Sequence, residues 1–215
     1  MSNWKSRVGI LFPSDEVLKI IDDTIRTKER SQLTYSLIKS YGLLNFMTKI
    51  PFKLGTVLFT GHATRSDSNL ELTLSLVEEE KLKLAHSPDY IRAFKSCNKT
   101  SEGEYYDKYG LSYDCPPRDE LYKRALLIYS STMSCAFALL ENKFDICLNW
   151  LGGWHHAKRS KASGFCYVND INGAINYFVQ NKKKVLYIDL GTVRTKLKIY
   201  SLRRFIVATY FPQFV

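Results

Sequence analysis

Two histidines stand side by side at positions 155 and 156, behind Gly152-Gly153-Trp154. In a glycine-rich loop joining a strand to a helix, neighbours like these place two imidazoles in one pocket. Imidazole is the side chain whose proton affinity suits acid and base work near neutral pH. An adjacent pair is more often a surface or structural feature, so the surrounding residues have to decide what His155 and His156 do. A third polar residue, Asp189, closes the apolar run Val185-Leu186-Tyr187-Ile188 and is the only acid between Asn181 and Val215.

The elements that must hold these residues can be read from apolar spacing. Val8-Gly9-Ile10-Leu11-Phe12, closed by Pro13, reads as a buried strand. Leu33, Leu37, Tyr41 and Leu44 follow at helical spacing and predict a helix with that stripe as its apolar face. Between Phe52 and Leu76 no period holds, and Thr64-Arg65-Ser66-Asp67-Ser68-Asn69 reads as a loop or insertion. Asp119 is the expected cap of a long helix carrying Leu121, Ala125, Ile128, Thr132, Cys135 and Leu139 on one face. That helix leads to the strand-like run Ile146-Cys147-Leu148. A second helix, with Ile171, Ala174, Ile175 and Phe178 on one side, precedes Val185 to Ile188. Strand, helix, strand with short connections predicts a crossover in a parallel sheet, and ligands gather at the carboxyl ends of such strands. His155, His156 and Asp189 all fall at that edge.

The string NWLGGWHHAKRSKASGFCYVND, from Asn149 to Asp170, resembles the catalytic loop of class I zinc-dependent histone deacetylases. Tyr109-Gly110-Leu111-Ser112-Tyr113-Asp114-Cys115-Pro116 resembles the substrate loop of the same family, and His86-Ser87-Pro88-Asp89-Tyr90 and the helix start at Arg30-Ser31 fit more loosely. The matches run in family order from about Val8 to Leu190. The resemblance implies an α/β fold, an open parallel sheet with flanking helices of the arginase and deacetylase kind, stopped midway in this chain. It also implies hydrolysis of acetyl-lysine amides in the complete form by zinc-activated water. Residue by residue, it assigns His156 as general base and acid, His155 as its electrostatic partner, and Asp189 as the carboxylate that orients His155. Asp114 would hold the substrate backbone, and Gly164 and Phe165 would line the lysine tunnel.

The resemblance stops abruptly. Where the family places Asp-Leu-Asp-x-His-His-Gly-Asp-Gly, this chain reads Asp189-Leu190-Gly191-Thr192-Val193-Arg194-Thr195-Lys196. Gly191 and Val193 occupy the positions of zinc ligands, and neither side chain binds a metal. The expectation is therefore two segments, residues 1–190 as the N-terminal part of a deacetylase domain and 191–215 as a divergent basic tail. Zinc belongs to the complete family enzyme, none is expected to bind this chain, and the chain alone is expected to be inactive. An alternative splice, a frameshift or an erroneous gene model explains the break better than gradual decay. The rival reading is a noncatalytic interaction isoform that competes with the full enzyme for partners. A sheet stopped midway is also expected to leave an edge unpaired.

Composition agrees with a folded domain. Of 215 residues, 45% are apolar and 13% aromatic, enough for a core. No run approaches the roughly 18 apolar residues of a membrane span, and the chain reads as soluble and intracellular, in the nucleus, the cytoplasm or both. Five cysteines, with no CxxC pair, imply neither a disulfide framework nor a structural zinc site. Cys135 and Cys147 read as small core residues, and Cys115 and Cys166 as packing groups close to the pocket. The net charge of +10 is concentrated late, since residues 181–215 hold eight basic side chains against Asp189 alone. Without a recognised nucleic-acid motif, this reads as a solvated tail. The expected partners are acetylated histone or another acetyl-lysine protein and chromatin complexes, with no sequence-specific nucleic-acid binding and no membrane.

Overall fold

A computed structural model describes residues 7–22, 29–52, 79–189, 196–200 and 206–209. In chain order the elements are β1 (Val8–Pro13), α1 (Asp15–Asp22), α2 (Arg30–Ser40), a short 3-10 helix (Leu43–Phe46), β2 (Thr48–Phe52), α3 (Glu79–Leu82), α4 (Pro88–Ser96), α5 (Glu104–Lys108), α6 (Leu121–Leu140), β3 (Ile146–Leu148), α7 (Asp170–Gln180), β4 (Val185–Asp189), β5 (Lys196–Tyr200) and β6 (Ile206–Thr209). The stretch read as aperiodic, including Thr64 to Asn69, lies outside the described residues, as do Gly191 and Val193.

The apolar run at the start of the chain becomes the central strand of a parallel sheet ordered β2-β1-β3. Ile10 and Leu11 are fully buried there, because a strand flanked on both edges and covered on its faces has to be apolar throughout. Helices flank the sheet, which gives the α/β class that the sequence predicts.

A second sheet is ordered β5-β4-β6, with β6 parallel and β5 antiparallel to β4. The expected crossover from β3 through α7 to β4 within one sheet is therefore corrected among the described residues. Both edges of β4 are taken by strands from beyond residue 190, which leaves no edge for β3. Lys196–Tyr200 and Ile206–Thr209, read in the sequence as parts of a solvated tail, supply the partners that an exposed strand edge demands.

Helix α6 ties the two halves together. Leu121, Ala125, Tyr129 and Met133 pack in one core with α7 and β4, while Leu127, Ile128, Cys135 and Ala138 pack in another with β1, β2, α1 and α2. Burial on nearly every side, rather than on one face, follows from this central position. The expected cap is also corrected. Position Glu120 precedes the helix with φ 53° and makes no side-chain cap bond, whereas the Asp119 carboxylate pairs with Lys99 at 3.0 Å.

Helix α2 forms where predicted, but its inward face is Tyr35 and Ile38. Leu33, Leu37 and Tyr41 point to solvent at 58%, 56% and 75% exposure. Tyr35 donates its hydroxyl to the Leu11 carbonyl at 2.9 Å, and Asp22 at the end of α1 accepts the N–H groups of Ser31 and Gln32, both at 2.9 Å. These contacts fix the rotation of the helix. By contrast α7 buries Ile171, Ala174, Ile175 and Phe178, the face read from its spacing.

Candidate active site

The loop that carries the histidine pair leaves β3 at Asn149 and is held from below by the start of α7. Asn169 caps that helix, its Oδ1 accepting the Asn172 N–H at 2.8 Å. Its Nδ2 donates to the carbonyls of His155 at 3.1 Å and Ala157 at 2.6 Å, clasping the loop on either side of His156. Next in sequence, Asp170 is completely buried and accepts from Gly153 N–H at 2.8 Å, Trp154 N–H at 2.7 Å and the Thr132 hydroxyl of α6 at 2.5 Å. Burial raises the Asp170 pKa above the ordinary carboxylate value, and these donors oppose the rise. One position in the loop must be glycine. A Cβ on Gly152 would lie 2.2 Å from Thr132 Oγ1 and 2.5 Å from Asp170 Oδ2.

A third anchor is His86, which is fully buried and accepts the Asn169 N–H on Nε2 at 2.8 Å. Its Nδ1 has no hydrogen bond of good geometry. Burial lowers its pKa to about 4, and the backbone of Arg159 and Lys158 opposes this only in part. The ring is neutral, with its proton on Nδ1, since Nε2 serves as an acceptor.

Above these anchors, His155 Nε2 lies 3.3 Å from Asp189 Oδ2, and the two side chains are 16% and 7% exposed. Residues 34 positions apart, on a loop beyond one sheet and at the last residue of a strand in the other, thus meet at one edge. His155 Nδ1 lies 3.0 Å from the Gly153 carbonyl, an atom that can only accept, so that contact requires the proton on Nδ1. The Asp189 carboxylate faces the other ring nitrogen. The rings of His155 and His156 are 4.2 Å apart between centroids, and His156 is the exposed member.

The rim of the site is a tight turn. Ser163 and Cys166 exchange backbone hydrogen bonds at 3.1 and 3.0 Å, and the two residues between them, Gly164 and Phe165, have φ of 57° and 61°. Both central residues in the left-handed region describe a primed hairpin turn. Gly164 suits that conformation and also makes room for its neighbour, since a Cβ there would lie 2.8 Å from His156 Cβ. Phe165 adopts it at a cost and stays 42% exposed. Asp114 Oδ2 accepts the Gly164 N–H at 2.7 Å, and Ala162 N–H donates to the Tyr109 carbonyl at 2.9 Å, joining the rim to the loop between Tyr109 and Pro116. Cys115 and Cys166 lie beneath it, buried, with their thiols pushed up to about 12 mainly by desolvation. They are inert packing groups at neutral pH.

Residues 29–191 match the histone deacetylase domain. The chain belongs to the histone deacetylase family. Histone deacetylase 8 of Danio rerio is 27% identical over 188 residues, which cover 86% of this chain and 44% of that protein. Histone deacetylase 8 of Xenopus tropicalis is 28% identical over 189 residues, 86% and 45% of the two chains. Histone deacetylase 1 of Homo sapiens is 32% identical over 164 residues, 75% and 30%. The chain therefore spans less than half the length of these curated relatives. The likeness to deacetylase 8 in the form of the loop from Tyr109 to Pro116 accords with two of them.

Zinc is the metal expected of histone deacetylases. Asp189 is engaged by His155, and the described residues contain no cluster of three or more His, Cys, Asp or Glu side chains. In the sequence, the positions two and four beyond Asp189 are Gly191 and Val193, which offer no donor side chain. The structure thus brings together His155, His156 and Asp189 as one group and Asp114, Gly164 and Phe165 as another, with Gly164 packed on His156. The supporting residues His86, Asn169 and Asp170 carry no assigned role in the sequence reading. A cap-forming Asn followed by a buried Asp at a helix start was the available local signal.

Proposed function

We propose that this chain is the substrate-facing part of a protein lysine deacetylase. In this reading residues 1–190 form the N-terminal part of the domain and 191–215 a divergent tail. The complete form is a zinc-dependent hydrolase of acetyl-lysine amides, acting on histones or other acetylated proteins in the nucleus or cytoplasm, with chromatin complexes as partners. The observation that carries the proposal is the contact between His155 and Asp189 with the tilted His156 ring beside it and open to solvent. His156 takes and returns a proton, and His155 supplies a polarised neighbour held in orientation by Asp189. Asp114 accepts backbone N–H groups of the substrate, exchanging its bond to Gly164 for them, and Phe165 packs along the lysine methylenes.

This chain by itself holds no zinc and releases no acetate, because Gly191 and Val193 leave the donor set short. Purified chain supplied with zinc and an acetyl-lysine peptide should bind the peptide and leave it intact, with binding weakened in Asp114→Ala. Acetate release above the His156→Ala background would sink the inactive reading, and absence of peptide binding would sink the acetyl-lysine reading.

A second reading is supported by β5 and β6. By giving β4 partners from within the same chain, they favour a noncatalytic isoform that competes with the full enzyme for partners. It requires a soluble species of 215 residues in cells, and a search of transcripts that finds no Leu190-Gly191 junction ends it. Neither reading calls for sequence-specific nucleic-acid binding or a membrane, and no described helix is long and apolar enough to cross one.

A further inference from the structure

From Ile146 to Asn169 the sequence contains no acidic residue, yet Lys158, Arg159 and Lys161 crowd into four consecutive positions of that stretch. Lys158-Arg159-Ser160-Lys161 is a tight turn in which Lys158 and Lys161 stand opposite each other as a bridged antiparallel pair. The Lys158 N–H donates to the Lys161 carbonyl at 2.8 Å, and all four residues are exposed. The turn is pinned to the start of α4. Ser87, the cap of that helix, donates its N–H to the Arg159 carbonyl at 2.8 Å, and Ser160 Oγ donates to Ser87 Oγ at 3.1 Å. Like charges held directly opposite one another repel and destabilise the pair.

Elsewhere on the surface cations are matched. Arg7 pairs with Asp145, Lys99 with Asp119 and Arg92 with Asp89. Asp89, two residues beyond Ser87, is thus taken, and Asp114 accepts the Gly164 N–H. Among the described residues no carboxylate pairs with Lys158, Arg159 or Lys161. The turn also belongs to the mouth of the site. Lys158 follows His156 by two residues and Lys161 precedes Gly164 by three. Backbone reach limits those Cα separations to about 7 Å and about 11 Å. Gly164 packs on His156, which closes the segment on itself, and Ala162, next to Lys161, donates its N–H to Tyr109 of the facing loop.

We propose that this turn selects the substrate, favouring an acetyl-lysine flanked by aspartate or glutamate over one flanked by further lysines. The inference rests on the acetyl-lysine reading above and narrows it. Phe165 and Gly164 take the acetylated stem, Asp114 takes the peptide backbone, and the cations of the turn take carboxylates beside it, which relieves their mutual repulsion. The flexible stems of Lys158 and Lys161 let their ammonium groups follow carboxylates at more than one position. Because these charges are exposed, the effect is a preference that salt screens.

The test is fluorescence anisotropy on the full chain with three labelled peptides that share a central acetyl-lysine and carry glutamate, glutamine or lysine on both sides of it, together with their unacetylated twins. At low salt the glutamate peptide should bind about tenfold tighter than the lysine peptide, with the glutamine peptide between them, and the gap should shrink to about twofold near 1 M salt. Lys161→Glu should fold, since a glutamate opposite Lys158 exchanges repulsion for attraction, and should cut the preference to about threefold or less. The net charge of +10 favours acidic peptides wherever they bind, so Lys183→Glu, the same charge change on the exposed residues after α7, is the control and should keep the preference. Equal affinities for the glutamate and lysine peptides, or a preference lowered as much by Lys183→Glu as by Lys161→Glu, overturn the role of the turn. Single-stranded DNA that displaces the glutamate peptide at matched charge would make the turn a general polyanion surface and overturn it as well. Peptides that bind equally with and without the acetyl group sink the acetyl-lysine reading and this inference with it. A charge preference missing among peptides that still require the acetyl group overturns this inference alone.

Discussion

The floor beneath the histidine pair and the rim around it are built by opposite means. The floor is polar and buried. Asp170, Asn169 and His86 are buried, and each carries hydrogen bonds to backbone atoms that local secondary structure does not satisfy. The rim is exposed, held by one carboxylate on one amide and by a turn whose second central residue is bulky and left-handed. A buried donor left without its acceptor costs far more than a surface hydrogen bond contributes. The floor therefore fixes the backbone that carries His155 and His156, while the rim retains groups whose bonds a substrate can replace at little expense.

The sharpest way to break that contrast is Asp170→Ala. It strands the Gly153 and Trp154 amides and the Thr132 hydroxyl, and should cost roughly 4 kcal/mol in denaturant unfolding. A loss below about 1 kcal/mol would show that water replaces the carboxylate and that the floor is open to solvent. The second effect is acid sensitivity through His86. The native ring protonates near pH 4 and the unfolded one near 6.5. The unfolded state therefore binds more protons across that window, and stability falls as pH drops through it. The wild-type chain should lose about 3 kcal/mol relative to His86→Gln between pH 6.5 and pH 4. Parallel stability curves for the two would remove His86 as the cause.

At the junction of floor and rim, Gly164→Ala combines a left-handed backbone with contact on His156 Cβ. It should cost about 2 kcal/mol and displace the His156 ring resonances. An unchanged His156 spectrum would disconnect the rim from the pair. The rim itself should yield the smallest numbers. Asp114→Ala should cost no more than about 1 kcal/mol, and Phe165→Gly should leave the chain unchanged or more stable by up to about 1 kcal/mol through relief of its φ. A large loss at Phe165, measured in the same unfolding assay, would mean that the aromatic ring is structural and not held ready for a ligand.

Legibility from sequence followed the same division. Strands with a buried run and helices such as α7 were readable because burial imposes a period, and Ile171, Ala174, Ile175 and Phe178 carry it plainly. In α2 the period was real but faced outward. Spacing reports that a stripe exists, while Tyr35 bonding to Leu11 and Asp22 capping the helix decide which side turns inward. Asp119 has the chemistry of a cap, yet a lysine 20 positions earlier claims its carboxylate. The histidine pair and Asp189 were found by family resemblance, and the structure places them in contact. Asp170 and His86 escaped because their partners lie 17 and 83 residues away, beyond any local pattern.

Helix α6 carries one more implication. Since opposite flanks of a single 20-residue rod are embedded in both cores, neither core has a surface along which it can part from the other without exposing that rod. The two sheets should therefore melt in one cooperative step, with amides of α6 among the last to exchange with solvent. Damage done to either half will be felt as loss of the whole.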